Sequence, residues 1–321
     1  MSLRYKHISA AVNSSLNYIQ GRRDGSIKSL STSLKKLDNA LLAGIEWNKI
    51  FTIGGMSGSG KSMLCEQLKR DIVEYNSEPV KILSFEFEMP SYEQVTRNLS
   101  GHLSIPVRDL YSAEKALDDD TFYKVVNIGK SLTKYPIYYV DDVGSVEEVI
   151  NTILAFVKDN EDVAKGETGL VVTIDHVLLT KGGQGQTERE IIASLYRALI
   201  GLKKRLISEG LRVLFIPLSQ LNREIESIER KANPDYHYPN RNDLFGSNDI
   251  FMGSDYVLVI HKPQILNLAT YGNKGLPIVN SRTNNALIYF HLLKHRSGEP
   301  KILIMEDNFK YSRIVEYDSS N

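Results

Sequence analysis

Residues 50–62 read Ile50-Phe51-Thr52-Ile53-Gly54-Gly55-Met56-Ser57-Gly58-Ser59-Gly60-Lys61-Ser62, and Met63-Leu64-Cys65-Glu66-Gln67-Leu68 follow. The β-rich run Ile50–Ile53 predicts a strand. Leu64 and Leu68, four apart, predict one face of a helix. Between them, Gly55 to Ser62 fits G-x-x-x-x-G-K-[ST], the phosphate-binding loop pattern. Glycines let backbone N–H groups turn inward around phosphate oxygens, and the helix N-terminus adds positive potential. Lys61 would reach the β- and γ-phosphates, and the Ser62 hydroxyl would bind Mg²⁺. Gly55, Ser57, Gly58, Ser59, Gly60, Lys61, Ser62 and Met63 are therefore the candidate nucleotide-binding residues. The motif establishes nucleotide binding and leaves open what the energy drives.

Beyond this loop, short apolar runs alternate with amphipathic segments. Strands are predicted at Ile50–Ile53, Val80–Phe87, Ile137–Val140, Leu170–Asp175, Arg212–Leu218 and Asp255–His261. Most are near-continuous apolar runs, as in strands buried on both faces. Helices are predicted between them. Residues 145–158 open with Ser145 and Glu148 at capping-box spacing. Residues 188–209 place Ile192, Leu195, Leu199, Leu202 and Leu206 on one face. This alternation predicts an α/β fold, a mostly parallel central sheet flanked by helices. Ala286–His295, Lys301–Asp307 and Lys310–Tyr317 read instead as antiparallel strands, with a turn at Ser297-Gly298-Glu299-Pro300. Residues 223–249 and 264–285 are polar and lack periodicity, so long loops are expected there. At the N-terminus, 7–20 has helical spacing and a polar, Gly-containing stretch follows. The expected organisation is a helix and linker over 1–33 and one domain over 34–321. A lone helix cannot bury its own apolar face, so it should pack on its own domain or on a neighbouring subunit.

Nucleotide hydrolysis also needs carboxylates. Two runs end in an acid where ligands bind in open α/β sheets: Ile137-Tyr138-Tyr139-Val140-Asp141-Asp142 and Val171-Val172-Thr173-Ile174-Asp175. The uniformly apolar second run favours Asp175 for the Mg²⁺ shell. Ser84-Phe85-Glu86-Phe87-Glu88-Met89-Pro90 ends another strand. Glu86 and Glu88, two apart, should share a face. Glu88, nearer the end, is the preferred general base for the attacking water. Gln220, in Pro217-Leu218-Ser219-Gln220-Leu221-Asn222-Arg223, stands at a strand tip where it could sense the γ-phosphate. Lys294-His295-Arg296-Ser297-Gly298 sits at a hairpin tip. An exposed Arg there suits a finger delivered to a neighbour's transition state.

Composition narrows the function class. Of 321 residues, 39 are Lys or Arg and 39 Asp or Glu, giving a formal net charge of zero. That argues against a globally basic nucleic-acid coat, while leaving room for a local basic channel. The apolar content of 42% excludes a disordered chain. Cys65 is the one cysteine, which rules out a disulfide framework and a Cys-cluster zinc site and fits a reducing compartment. No run of about 18 apolar residues occurs, so no transmembrane span is expected. The N-terminus lacks the apolar core of a signal peptide, and a cytoplasmic location is the expectation.

Taken in order, these motifs resemble the ATPase domain of DnaB-type replicative helicases, built on a RecA-like P-loop NTPase fold, over roughly residues 8–317. FEFEMP resembles the family's S-L-E-M-P segment, which implies Glu88 as catalytic base. PIYYVDD is similar to P-[LI]-Y-I-D-D, which removes Asp141 and Asp142 as the Mg²⁺ acid. VVTIDHVLL is similar to I-D-Y-L-Q-L, which gives that role to Asp175. PLSQLNR matches L-S-Q-L-N-R and implies Gln220 as sensor. KHRSG resembles K-Q-R-N-G and implies Lys294 and Arg296 as trans-acting fingers. STSLKKLD is similar to the domain's T-G-[FY]-x-x-L-D entry. The family's DNA-contacting D-L-R-[EG]-S-G reads here Asp243-Leu244-Phe245-Gly246-Ser247-Asn248. Phe245 replaces an Arg; it either loses a phosphate contact or supplies a stacking ring, and Arg241 could restore the charge. Lys181-Gly182-Gly183-Gln184-Gly185-Gln186 is a second candidate DNA loop. The expected DNA-binding residues are Lys181, Gly183, Gln184, Arg241, Phe245, Gly246 and Asn248.

What the resemblance implies is an ATP- and Mg²⁺-dependent helicase that forms a homo-oligomeric, hexameric ring on single-stranded DNA in replication. Primase or a helicase loader would be its partner. Family members usually carry an N-terminal helical domain that contacts primase. Here about thirty residues precede the ATPase domain and look like the family's linker helix, which fits a phage or mobile-element origin in a bacterial cell. Two alternatives stand beside this reading. One is a RecA-, RadA- or KaiC-like ATPase in recombination or signalling. The other is a nucleotide-gated loader or scaffold.

Overall fold

Among the described residues, nine strands form one sheet in the order β3-β2-β4-β5-β1-β6-β7-β8-β9. They are β1 (Lys49–Gly55), β2 (Val80–Glu86), β3 (Ile137–Val140), β4 (Gly169–Asp175), β5 (Val213–Gln220), β6 (Tyr256–His261), β7 (Leu287–His295), β8 (Lys301–Asn308) and β9 (Arg313–Glu316). The helices are α1 (Ile8–Asp24), α2 (Lys35–Ala40), α3 (Lys61–Glu74), α4 (Ser91–Leu103), α5 (Val107–Leu110), α6 (Asp119–Leu132), α7 (Val146–Asp159), α8 (Glu161–Ala164), α9 (Glu188–Ser208), α10 (Ile228–Ala232) and α11 (Ser247–Gly253). This computed structural model describes residues 5–177, 180–182 and 185–318.

The first six strands are parallel and β7 to β9 antiparallel, as the alternation of apolar runs and helices predicts. Two apolar clusters sandwich the sheet. One joins α2 and α3 to one face through Leu37, Leu64, Leu68 and Ile72. The other joins α7 and α9 to the opposite face through Val149, Ile153, Ile192, Leu195, Leu199, Leu202 and Leu206. The predicted stripe of α9 is thus the buried one, and each such side chain contributes about 1.5–3 kcal/mol gross. Both helices carry a capping box. Ser145 and Glu148 make it on α7, as their spacing predicts, and Thr187 with Glu190 makes one on α9.

Two segments differ from expectation, while 264–285 is the expected loop. Residues 223–249 are not one long loop: α10, α11 and short 3₁₀ turns occupy them. α11 is only seven residues long, too short for a visible periodicity, and Ile250 anchors it in the core. Residues 264–285 are pinned from beneath by Tyr271, whose hydroxyl lies 2.5 Å from His261 Nδ1 and 2.7 Å from His291 Nε2. β9 begins at Arg313, because Phe309–Tyr311 form a 3₁₀ turn and Ser312 takes a left-handed φ of 50°.

After α1 the chain enters the domain, with Leu30 bridged to Ile45 and both buried. α1 itself keeps Ile8, Leu16 and Ile19 well exposed. Its contacts to the domain are polar: Tyr18 donates to Glu46 at 2.7 Å, and Arg22 to Ser29 and to the Leu42 carbonyl. Among the described residues no helix is long and apolar enough to cross a membrane.

Candidate active site

Parallel register collects the site. Gly55 is level with Gln220, and Glu86 with Asp175, so the C-terminal ends of β1, β2, β4 and β5 share one edge of the sheet. The chain turns from β1 into α3 through Gly58 and Gly60, at φ 73° and 100°, where a side chain would strain the backbone. A Cβ on Gly60 would also stand 2.5 Å from Phe309 Cζ. The loop is self-bonded: Ser59 Oγ and Lys61 Nζ both donate to the Met56 carbonyl, at 2.8 and 2.9 Å. A cleft of about 210 Å³ opens on it, lined by Ser57, Gly58, Gly60, Lys61, Ser62 and Met63. Glu88, Met89, Arg97, Gln220 and Phe309 complete the wall.

The carboxylates occupy different environments. Asp175 is buried, and its Oδ1 takes no hydrogen bond among the described residues. Burial pushes its carboxyl up to about 6, against the Ser62 hydroxyl and the Lys61 charge, which pull it down. An orphaned carboxylate oxygen beside a hydroxyl fits a hydrated divalent cation, which would draw on Ser62 and Asp175. Burial lowers the Lys61 ammonium, opposed by Asp175 and Glu88. Glu86 and Glu88 stand in different surroundings, because β2 ends at Glu86. Glu86 is buried and takes Lys69 Nζ at 2.8 Å and Gln94 at 2.9 Å. Glu88 is half exposed on the cleft, 3.5 Å from His176 Nε2. Fully buried Lys69 also binds Ser84 at 2.8 Å and pairs with Glu66, tying α3 to the end of β2 just before Glu88. Asp141 instead accepts from Ser91 N and Oγ, at 2.9 and 2.8 Å, and holds the start of α4.

Met89 of the cleft wall and three further residues at the cleft escape the sequence reading. His176 sits beneath the cleft, 3.2 Å from the Gln220 amide and beside Glu88, with its ring pKa lowered by burial. Its signal is its place directly after Asp175. Arg97 lines the cleft from α4, three residues beyond the Gln94 that binds Glu86. Phe309 carries no signal, since it falls between the two predicted strands Lys301–Asp307 and Lys310–Tyr317.

Lys294 and Arg296 are not in this cleft. β7 runs antiparallel to β6, so His295 is level with Tyr256, which is level with Phe51. That is four residues back from Gly55, roughly 13 Å along the strand and toward the opposite edge of the sheet. Arg296 is exposed there.

Of the two expected DNA loops, Gly183 and Gln184 lie outside the described residues. Lys181 is exposed, and its N–H bonds the Gly144 carbonyl at 2.9 Å. The loop before α11 is tied to the tip of β5: Phe245 N–H donates to the Gln220 carbonyl at 3.1 Å, and Asn222 N–H to the Asp243 carbonyl at 2.7 Å. Arg241 and Asn248 are exposed. Gly246 takes φ 76° as the N-cap of α11. Phe245 is only partly exposed and packs on the apolar cluster.

The sheet order, the phosphate-type loop and the acids on one edge define a P-loop nucleotide-binding domain of RecA-like fold. The chain belongs to the family of DnaB-like helicase C-terminal domains, whose model matches residues 29–316. A protein of Trieres chinensis named probable replicative DNA helicase is 25% identical over 292 residues, covering 90% of this chain and 57% of that protein. The chain thus spans little more than half of that relative. Among solved structures, one ATPase domain superposes with a TM-score of 0.78 at 18% identity, over 98% of this chain and all of that one. A structure of a DnaB-like replicative helicase and its interactions with primase gives 0.76 at 19% identity, over 98% of this chain and 68% of that one. Nucleotide use goes with the family.

Proposed function

We propose that this chain is the motor of a ring-shaped replicative helicase, which hydrolyses ATP with Mg²⁺ to move along single-stranded DNA and part the duplex. One observation carries the reading. The base, acid, loop and sensor candidates converge on one edge of the sheet, while the two basic finger candidates lie at the opposite edge, away from the chain's own cleft. Fingers so placed serve a cleft on another subunit, which makes catalysis depend on assembly.

Lys61 and the loop N–H groups bind the phosphates, and Glu88 takes a proton from the attacking water. Ser62 and Asp175 hold the Mg²⁺, which supplies charge neutralisation at the phosphates. Gln220 senses the γ-phosphate, while Lys294 and Arg296 of one subunit reach the nucleotide of the next. DNA is held by Lys181, Arg241 and Asn248, with Phe245 and Gly246 shaping the loop. Residues 1–33 act as a linker whose uncovered helix docks on a neighbouring subunit of a hexamer. Primase or a loader acts on the assembled ring, in the cytoplasm of a bacterial cell or of one carrying a phage or mobile element.

Strand displacement on a forked duplex tests the reading. Wild type should unwind with ATP, and Arg296→Ala should bind nucleotide normally but keep only a small residual turnover and lose unwinding. DNA-dependent turnover without strand separation would favour a recombination or loading role. Unchanged turnover in Arg296→Ala would remove the trans-finger role.

A further inference from the structure

α11 crosses from one edge of the sheet to the other. It starts beside Gln220, where Phe245 N–H meets the Gln220 carbonyl, and ends at Gly253. Two residues on, Asp255 is level with the start of β1: its N–H donates to the Ile50 carbonyl at 2.8 Å, and its Oδ2 accepts Ile50 N–H at 2.9 Å. Asp255 is 3% exposed and bears two cations. Lys203 Nζ of α9 lies 2.5 Å from Oδ2, and Arg296 Nε lies 3.3 Å from Oδ1. Arg296 N–H also donates to the Asp255 carbonyl, at 3.1 Å. The Arg296 side chain is otherwise 59% exposed, and its terminal guanidinium nitrogens make no hydrogen bond among the described residues. Lys294 Nζ donates to the Phe251 carbonyl in the last turn of α11, with its charge 5.1 Å from the Phe251 ring centre.

A guanidinium drawn to Asp255 by an ion pair on its Nε side, with its own backbone N–H bonded to the same residue, keeps its two outward nitrogens in the fork that matches phosphate oxygens. Without the tether, the same side chain would sample many rotamers and lose that freedom only on reaching its target. Lys203 already balances the Asp255 charge, so the ion pair orients Arg296 and leaves it net positive. We propose that Asp255 is a positioning residue for the Arg296 finger, and that it seats the finger hairpin on the end of α11, the helix that follows the candidate DNA loop. This rests on the reading of Arg296 as a finger for a neighbour's nucleotide.

The test is ATP turnover of the full chain with saturating single-stranded DNA. The variants are Asp255→Asn, the pair Lys203→Met with Asp255→Asn, Arg296→Ala, and Arg296→Ala with Asp255→Asn. The asparagine side chain would keep an acceptor for Ile50 N–H, and the paired variant leaves no lysine unpartnered if the single change does not fold. Fluorescent-nucleotide affinity is read alongside. Misplacing a reacting group by about 1 Å costs roughly 100-fold, so kcat should fall roughly 10–100-fold in both Asp255 variants. Nucleotide affinity should stay within about twofold. On the Arg296→Ala background, adding Asp255→Asn should change kcat by less than about twofold, because both act through one group. Undiminished kcat in the paired variant would overturn the proposal, and so would a full further loss on the Arg296→Ala background. Wild-type turnover in Arg296→Ala alone would show that the finger reading itself had failed, and the proposal would fall with it.

Discussion

Lowering the pH from 7.5 to 5 should cost this domain about 2 kcal/mol through one histidine, His291. The ring is 2% exposed on β7, and burial holds its pKa down at about 3, against an ordinary 6.5. Natively it is neutral and bonds the Tyr271 hydroxyl at 2.7 Å. The unfolded chain takes up a proton below 6.5 and the native one does not. Stability from this group is therefore complete above 6.5 and falls as the pH drops toward 3. At pH 5 the gap is about 1.5 units, and at about 1.4 kcal/mol per unit the loss is about 2 kcal/mol. His261, on the other side of Tyr271, is depressed by burial in the same direction and adds to it. Denaturant unfolding of the nucleotide-free protein at pH 7.5 and 5.0 reads the effect. His291→Gln, which can still bond Tyr271, should lose about 2 kcal/mol less than wild type over that interval. Equal losses, within about 0.5 kcal/mol, would refute the reasoning.

Gly60→Ala should weaken nucleotide binding more than about tenfold in a fluorescence titration, since the Cβ meets both a φ of 100° and the Phe309 ring. Adding Phe309→Ala relieves the clash but not the dihedral, so recovery should be partial. Glu88→Gln should leave binding intact and slow single-turnover hydrolysis by about 100-fold or more. Gly169→Ala drives a Cβ to 2.4 Å from Trp47 Cη2 and should cost about 1–3 kcal/mol of stability. Trp47 is the sole tryptophan, so its fluorescence reports the repacking directly.

Period and run length made the sheet legible. Ile137–Val140 coincides with its strand, and the other parallel strands fall within two residues of their apolar runs. Glu88, Asp175, Gln220 and the phosphate-type loop are readable because each ends or closely follows a strand, and parallel register then brings them to one edge. What stayed hidden depends on distant packing. Phe309 reaches the cleft from the short 3₁₀ turn between β8 and β9, which a left-handed Ser312 closes and no local pattern announces. α11 is too short for periodicity to register. The segment 264–285 looks loose, yet a tyrosine between two histidines pins it, and such a knot leaves no local pattern. The Asp255–Arg296 pair joins residues 41 positions apart through the antiparallel partnering of β6 and β7, which spacing alone does not give.

ATP turnover by the purified protein with and without single-stranded DNA, using Lys61→Ala as the blank, tests most directly that the cleft drives movement on DNA. The account predicts turnover absent in the blank and strongly raised by DNA in wild type. Wild-type turnover indifferent to DNA would contradict it.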